Sequence, residues 1–165
     1  MTEKESRYED ILAKARGLAE GETDSIALMA NLAALIHLEM GFWWTGFYIV
    51  KPKSVASGEG CGSELVLGPF QGPIACTRIS YGRGVCGTAW KERRTVIVPD
   101  VELFPGHIAC SSESRSEIVV PVFAPGASDA VRHVVAVLDI DSRELGTFDE
   151  TDARYLESIA TLISR

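Results

Sequence analysis

No apolar run in this chain approaches the roughly 18–20 residues needed to cross a bilayer. The charged start, Met1-Thr2-Glu3-Lys4-Glu5, leads into no apolar signal-peptide core. The expected compartment is therefore the cytoplasm. Basic clusters are also missing: 16 Lys and Arg face 23 Asp and Glu, for a net charge of −7. Binding phosphates needs concentrated positive charge, so neither nucleic acid nor an anionic membrane is an expected partner. The cysteines form no C-x-x-C pair, and His37, His107 and His133 stand at no ligand spacing. Zinc, c-type haem and a thioredoxin-like dithiol are thus disfavoured, and no metal or other cofactor is expected. Gly82-Arg83-Gly84-Val85-Cys86-Gly87 is a poor dinucleotide fingerprint, since no strand–turn–helix unit with a later acidic ribose ligand surrounds it.

What is present suffices for one well-filled core. At 165 residues and 46% hydrophobic composition, the chain is expected to form a single domain over 1–165, burying roughly 70% of its unfolded surface. Helical apolar spacing runs from about Ser6 to Glu20 and from about Asp24 to Met40, where Ile26, Met29, Leu32, Ala33 and Ile36 form a stripe; the two helices join at Gly21. The period then changes. Trp43 to Lys51, Glu64 to Phe70, Thr95 to Val98, Glu117 to Ala124 and Val131 to Asp141 have strand composition, predicting five or six strands. Ser54 to Ser63 reads as a surface loop that carries Cys61 as an incidental thiol, and Pro125 to Asp129 as a hairpin-like connection. Thr147-Phe148-Asp149-Glu150 fits a capping box with Thr147 as N-cap, opening a last helix through about Ser164 with Ala153, Leu156, Ile159, Ala160 and Ile163 as its apolar face. Helices before and after a block of strands indicate an α+β fold: an antiparallel sheet with helices packed on one side.

Three cysteines lie in Gly-punctuated, loop-like stretches: Cys76 after Gly72-Pro73-Ile74-Ala75, Cys86 within Gly82 to Ala89, and Cys110 after Gly106-His107-Ile108-Ala109. A reactive thiol needs partial exposure and N–H-rich or positive surroundings, which turns and helix starts supply; the competing reading is a buried, inert thiol. An acidic set, Glu117, Asp139 and Asp141, follows. Period-2 geometry sends Asp139 and Asp141 to one sheet face about 7 Å apart, with Leu138 and Ile140 opposite. Glu117 reaches them if its strand is the neighbour; otherwise these acids line a solvated edge. In the first strand the same rule groups Trp44, Gly46, Tyr48 and Val50 opposite Trp43, Thr45, Phe47 and Ile49, so one aromatic set faces a pocket while the other fills core. His107 is either a loop hydrogen-bonder or a partner of Cys110.

Taken in order, Gly72-Pro73-Ile74-Ala75-Cys76, Gly82-Arg83-Gly84-Val85-Cys86-Gly87-Thr88-Ala89, Gly106-His107-Ile108-Ala109-Cys110, Ser116-Glu117-Ile118-Val119-Val120-Pro121 and Val137-Leu138-Asp139-Ile140-Asp141-Ser142 closely resemble the free methionine-(R)-sulfoxide reductases, which are GAF-domain proteins. The resemblance runs from about Ala30 to the C-terminus. It implies a GAF fold with about six antiparallel strands between N- and C-terminal helices, and a homodimer. It also implies reduction of free methionine-(R)-sulfoxide, with Cys110 as the nucleophile left as a sulfenic acid, Cys76 as the resolving thiol, Cys86 as a secondary resolver, and a thioredoxin-type dithiol as reductant. Glu117, Asp139 and Asp141 then resemble the substrate-binding carboxylates, and Trp44 and Tyr48 the aromatic wall. Two rival classes remain at this level: a ligand-sensing GAF module without chemistry, and a thiol redox sensor.

Overall fold

The change of period after Met40 is where the chain turns from helix to sheet. In the computed structural model, which describes residues 1–53, 62–107, 112–126 and 132–163, helix α1 spans Glu3–Ala19 and α2 spans Ser25–Met40. Thr2 and Glu5 close a capping box at the start of α1, and Asp24 caps α2 by accepting from the Ala27 N–H at 2.9 Å. Gly41 ends α2 at φ 71, a left-handed conformation that suits glycine. The chain then forms β1 (Trp44–Pro52), β2 (Ser63–Gln71), β3 (Arg78–Ser80), α3 (Gly84–Glu92), β4 (Val96–Val98), a single 3-10 turn (Val101–Leu103), β5 (Ser116–Phe123), β6 (Val134–Ser142) and α4 (Glu150–Ala160).

The six strands make one sheet in the order β3-β2-β1-β6-β5-β4, every neighbouring pair antiparallel. One face packs Phe47, Ile118, Val120, Leu138 and Ile140 against α1, α2 and α4. The stripe on α2 is buried as expected at Met29, Leu32, Ala33 and Ile36, whereas Ile26 is exposed. The other face buries Trp44, Tyr48, Leu65, Val119 and Val137 with Val85, Cys86 and Ala89 of α3.

This second layer corrects the expectation of helices on one side only. Three glycines in Gly82–Gly87 make poor helix by propensity, yet burial of Val85, Cys86 and Ala89 overrides it. Gly87 is needed for close approach: a Cβ there would stand 2.6 Å from the Ser80 carbonyl oxygen. The three-residue strand β3 also escaped the pattern, being too short for alternation to show. A second correction concerns α4. Its N-cap is Asp149, which accepts from the Thr151 and Asp152 N–H groups, with Asp152 returning the capping-box bond. Thr147 instead donates its hydroxyl to Ser142 Oγ. The last helix also stops short of the expected Ser164, ending at Ala160 with Thr161 as its C-cap. The loop carrying Cys61 and most of the hairpin-like connection after Pro125 lie outside the described residues.

Asp152 locks α4 to α1. Fully buried, it accepts from the Tyr8 hydroxyl at 2.7 Å and the Asp149 N–H at 2.8 Å, and pairs with Lys4. Tyr8 stacks on Tyr155, ring centroids 5.1 Å apart. We expect Asp152→Ala to lower unfolding free energy by about 2–4 kcal/mol in urea titrations, because it strands the buried Tyr8 hydroxyl and removes one of the two carboxylates that hold Lys4. Glu3→Ala, which removes an exposed pair with Arg7, should cost under about 0.5 kcal/mol. Equal effects would refute the assignment of Asp152 as the α1–α4 lock.

Candidate active site

Strands β1, β6 and β5 lie side by side in a register that opposes Gly46 to Asp139, Trp44 to Asp141, and Glu117 to Asp141. The adjacency that Glu117 required is therefore met. All three carboxylates line one small cavity of about 60 Å³, together with Trp44, Tyr48, Cys86 and the Pro73–Ala75 loop. Glu117 and Asp139 are each only 6% exposed, which excludes a solvated sheet edge.

Three acids in one buried space cannot all ionise. Burial, followed by the charges on Asp139 and Asp141, holds the Glu117 carboxyl well above the usual carboxylate range. Burial and then the charge on Asp139 do the same to Asp141, although the Ser114 hydroxyl, donating at 2.5 Å, opposes the shift. Asp139 rises least, to about 6, because hydrogen bonds with Glu117 and Cys86 offset its burial. Negative charge is therefore held most easily at Asp139, while burial and like charge favour the protonated forms of Glu117 and Asp141. Its Oδ1 has no hydrogen-bond partner.

The two aromatic residues expected on this face are here, and their polar ends are committed. Trp44 Nε1 donates to the Pro73 carbonyl at 3.0 Å, and the Tyr48 hydroxyl donates to the Cys76 carbonyl at 2.9 Å. Trp44 also stacks between Tyr48 and Phe70, with centroids 5.9 and 5.3 Å away. The aromatic wall therefore pins the loop that carries Cys76. Gly72 opens that loop at φ 121, where a Cβ would strike Trp44 and the Trp43 carbonyl.

The cysteines part company. Cys76 is disulfide-bonded and half-buried. Cys86 is a free thiol, buried within α3 rather than in an open loop. Burial, then the neighbouring Asp139, Glu117 and Asp141, push that thiol well up, so it stays protonated. Cys110 and Cys61 lie outside the described residues. His107 Nε2 comes to 4.0 Å from Glu117, and burial lowers its pKa toward the neutral imidazole. Ligand atoms of Cys86, Glu117 and Asp139 lie within 4.8 Å of one another, so this same group is where a cation would sit.

Among the lining residues that went unforeseen, Trp43, Arg83 and Ser114 carry polar side chains. Alternation placed Trp43 with Phe47 on the helix face. It precedes the first strand residue, however, so the strand rule does not bind it, and it packs toward the pocket. Arg83, a lone cation between two glycines, was the visible clue to its position. Ser114 had none.

The geometry agrees with known proteins. The GAF domain family matches residues 22–165. GAF domain-containing protein A of Dictyostelium discoideum is 51% identical over 97% of this chain and 92% of its own length. Free methionine-R-sulfoxide reductase of Saccharomyces cerevisiae is 40% identical over 98% of this chain and 86% of its own. The X-ray structure of free methionine-R-sulfoxide reductase from Neisseria meningitidis in complex with its substrate is 46% identical, with a TM-score of 0.83, over 99% of this chain and 90% of that one. Among the described residues no helix is long and apolar enough to cross a membrane. The chain belongs to the GAF domain family and, within it, to the free methionine-R-sulfoxide reductases.

Proposed function

We propose that this protein reduces the R epimer of free methionine sulfoxide to methionine by thiol chemistry. The observation that carries the reading is the convergence of three buried carboxyls on one cavity, with an unpartnered Asp139 Oδ1 beside groups whose burial and mutual charge favour keeping protons. Asp139 Oδ1 suits the ammonium of a free amino acid, which a peptide-bound residue lacks. A protonated Glu117 or Asp141 suits the sulfoxide oxygen, which leaves sulfur only when it is protonated. Trp44 presents its ring to the methyl and sulfur, favouring one epimer by shape and sulfur–aromatic contact.

In the proposed cycle the Cys110 thiol attacks the sulfoxide sulfur, the oxygen passes to Cys110 as a sulfenic acid, and methionine departs. The Cys76 thiol displaces that hydroxyl as water to form a disulfide, which a thioredoxin-type dithiol reduces, itself becoming oxidised. Tyr48, bonded to the Cys76 carbonyl, would hold the resolving loop against the pocket. Cys86, buried and protonated, acts as a donor to Asp139, so its part as a secondary resolver would need α3 to open.

Methionine release should be followed on separated free R and S sulfoxides and on an N-acetylated, C-amidated sulfoxide, with a dithiol in excess. Only the free R epimer should turn over; comparable rates on all three would sink the proposal. Cys110→Ser should release nothing. With a thioredoxin-type protein in place of the small dithiol, Cys76→Ser should release about one equivalent per chain and then stall, since its step follows the chemistry on the substrate.

The trio also fixes a pH dependence. Folding raises Asp139 from 3.8 to about 6 and lifts Glu117 and Asp141 further, so the native state binds more protons than the unfolded chain across that range. Stability of the ligand-free protein should therefore fall as pH rises from about 4 through 6 and beyond, and level off once the trio is deprotonated. Guanidinium unfolding at pH 5 and pH 8 should show this fall, and Asp139→Asn should shrink it. Turnover should fall at high pH as the donor proton is lost. Asp139→Asn, Asp141→Asn and Glu117→Gln should each cut turnover by about 10²-fold or more at neutral pH. Wild-type rates in all three would make the carboxylates bystanders.

A further inference from the structure

Buried polar side-chain atoms without a hydrogen-bond partner include His37 Nδ1, Trp43 Nε1, Thr45 Oγ1 and Asp139 Oδ1. Two of these residues, Trp43 and Asp139, line the same cavity. One offers a donor and the other an acceptor. A buried N–H with nothing to donate to is costly, and native structures keep such a group chiefly where something outside the chain completes it. The cavity's other indole and its phenol are spoken for, Trp44 by the Pro73 carbonyl and Tyr48 by the Cys76 carbonyl. The Ser114 hydroxyl is taken by Asp141.

The Trp43 ring is also held in place. Its backbone N–H donates to the Asp141 carbonyl at 3.1 Å, which ties its root to the acidic strand. On the ring face the Arg143 guanidinium sits 3.5 Å from the centroid, and Arg143 pairs with Glu113 at 2.5 Å. A cation over the π-face fixes the ring plane and draws electron density from it, which makes the indole N–H a stronger donor.

We propose that the Trp43 indole N–H is a hydrogen-bond donor kept open for an oxygen acceptor of the bound amino acid, acting opposite the ammonium site at Asp139 Oδ1. The inference rests on the function proposed above and adds a specificity-determining residue to it. Two oxygens of that substrate have the required chemistry, the polarised sulfoxide oxygen and the α-carboxylate, and binding of the product tells them apart because methionine keeps only the second.

The test is calorimetric binding of free methionine-(R)-sulfoxide and of methionine to the Cys110→Ser protein, which is expected to bind without turning over, with Trp43 intact and as Trp43→Phe. Phenylalanine keeps an aromatic face for Arg143 and deletes the N–H. Sulfoxide binding should weaken about five- to tenfold. Unchanged methionine binding would place the N–H at the sulfoxide oxygen; an equal loss on both ligands would place it at the carboxylate. No loss on either ligand would overturn the inference. The ligand-free melting temperature should hold or rise, because an unpaired buried donor has been removed, whereas a packing role would lower it and leave affinity alone. Should Trp43→Phe fold poorly, 3-benzothienylalanine at position 43 keeps the bicyclic shape with sulfur in place of N–H, and the same losses are expected. A protein with Trp43 intact that binds the sulfoxide, paired with an unaffected Trp43→Phe, sinks this inference alone. Failure of the wild type to bind or reduce the sulfoxide sinks the proposed function with it.

Discussion

Mutual repulsion among three buried carboxyl groups is the constraint around which the pocket is organised. Two unit charges about 5 Å apart at an effective dielectric near 20 repel by roughly 3 kcal/mol, before any cost of burial is counted. Left to themselves, Glu117, Asp139 and Asp141 would part or turn to water. They are held together by the opposite face of the same strands. Leu138 and Ile140 alternate with the two aspartates, and Ile118 and Val120 with the alternate residues of β5, and all four are buried against the helical layer. A one-residue slip of β6 would send both aspartates into that apolar core and its leucine and isoleucine into the pocket. The hydrophobic layer thus enforces a register that electrostatics alone would reject.

Because the acids cannot separate, they share protons unequally, and hydrogen bonding decides how. Asp139 is approached by both the Glu117 carboxyl and the Cys86 thiol, so negative charge is cheapest there. The helix that carries Cys86 exists despite its glycines because this face of the sheet needs covering. Gly87 lets the start of α3 pack directly on the Ser80 carbonyl and the Gly82 backbone, and the Cys86 thiol beside it bonds Asp139. Cys86 therefore belongs to the electrostatics of the pocket, and the tertiary contact that made a helix of a Gly-rich segment also sets the protonation of the site.

Much of this was legible in the sequence, and the parts that were not share a cause. Strand alternation gave the face of Trp44, Tyr48, Asp139 and Asp141, because the rule depends only on chain geometry. It failed at Trp43, one residue outside the strand, where nothing local dictates direction. Neighbouring of β5 and β6 was an inference from order, since pairing across strands leaves no mark in either strand alone. Helix α3 and the Asp149 cap were missed where tertiary burial or a competing hydrogen bond overrode a local signal: Thr147 is an acceptable N-cap, but Asp is the stronger one, and the Thr147 hydroxyl is committed to Ser142.

The aromatic wall links the pocket to the loop that carries Cys76. Trp44 and Tyr48 are large apolar bodies with one polar tip each. Both tips are tied to backbone carbonyls at the two ends of Pro73–Cys76, so the ring faces alone are left for a ligand. A phenylalanine at Tyr48 would fill nearly the same space and leave the Cys76 carbonyl without its donor. The loop's position relative to the carboxylates is therefore set by two hydrogen bonds from residues of β1, the strand that also pairs with β6 beneath Asp139. The buried acids and the Cys76 backbone are in this way referenced to a single strand. Motion of the Pro73–Cys76 loop away from β1 must break these two bonds, so the loop and the pocket wall are mechanically linked.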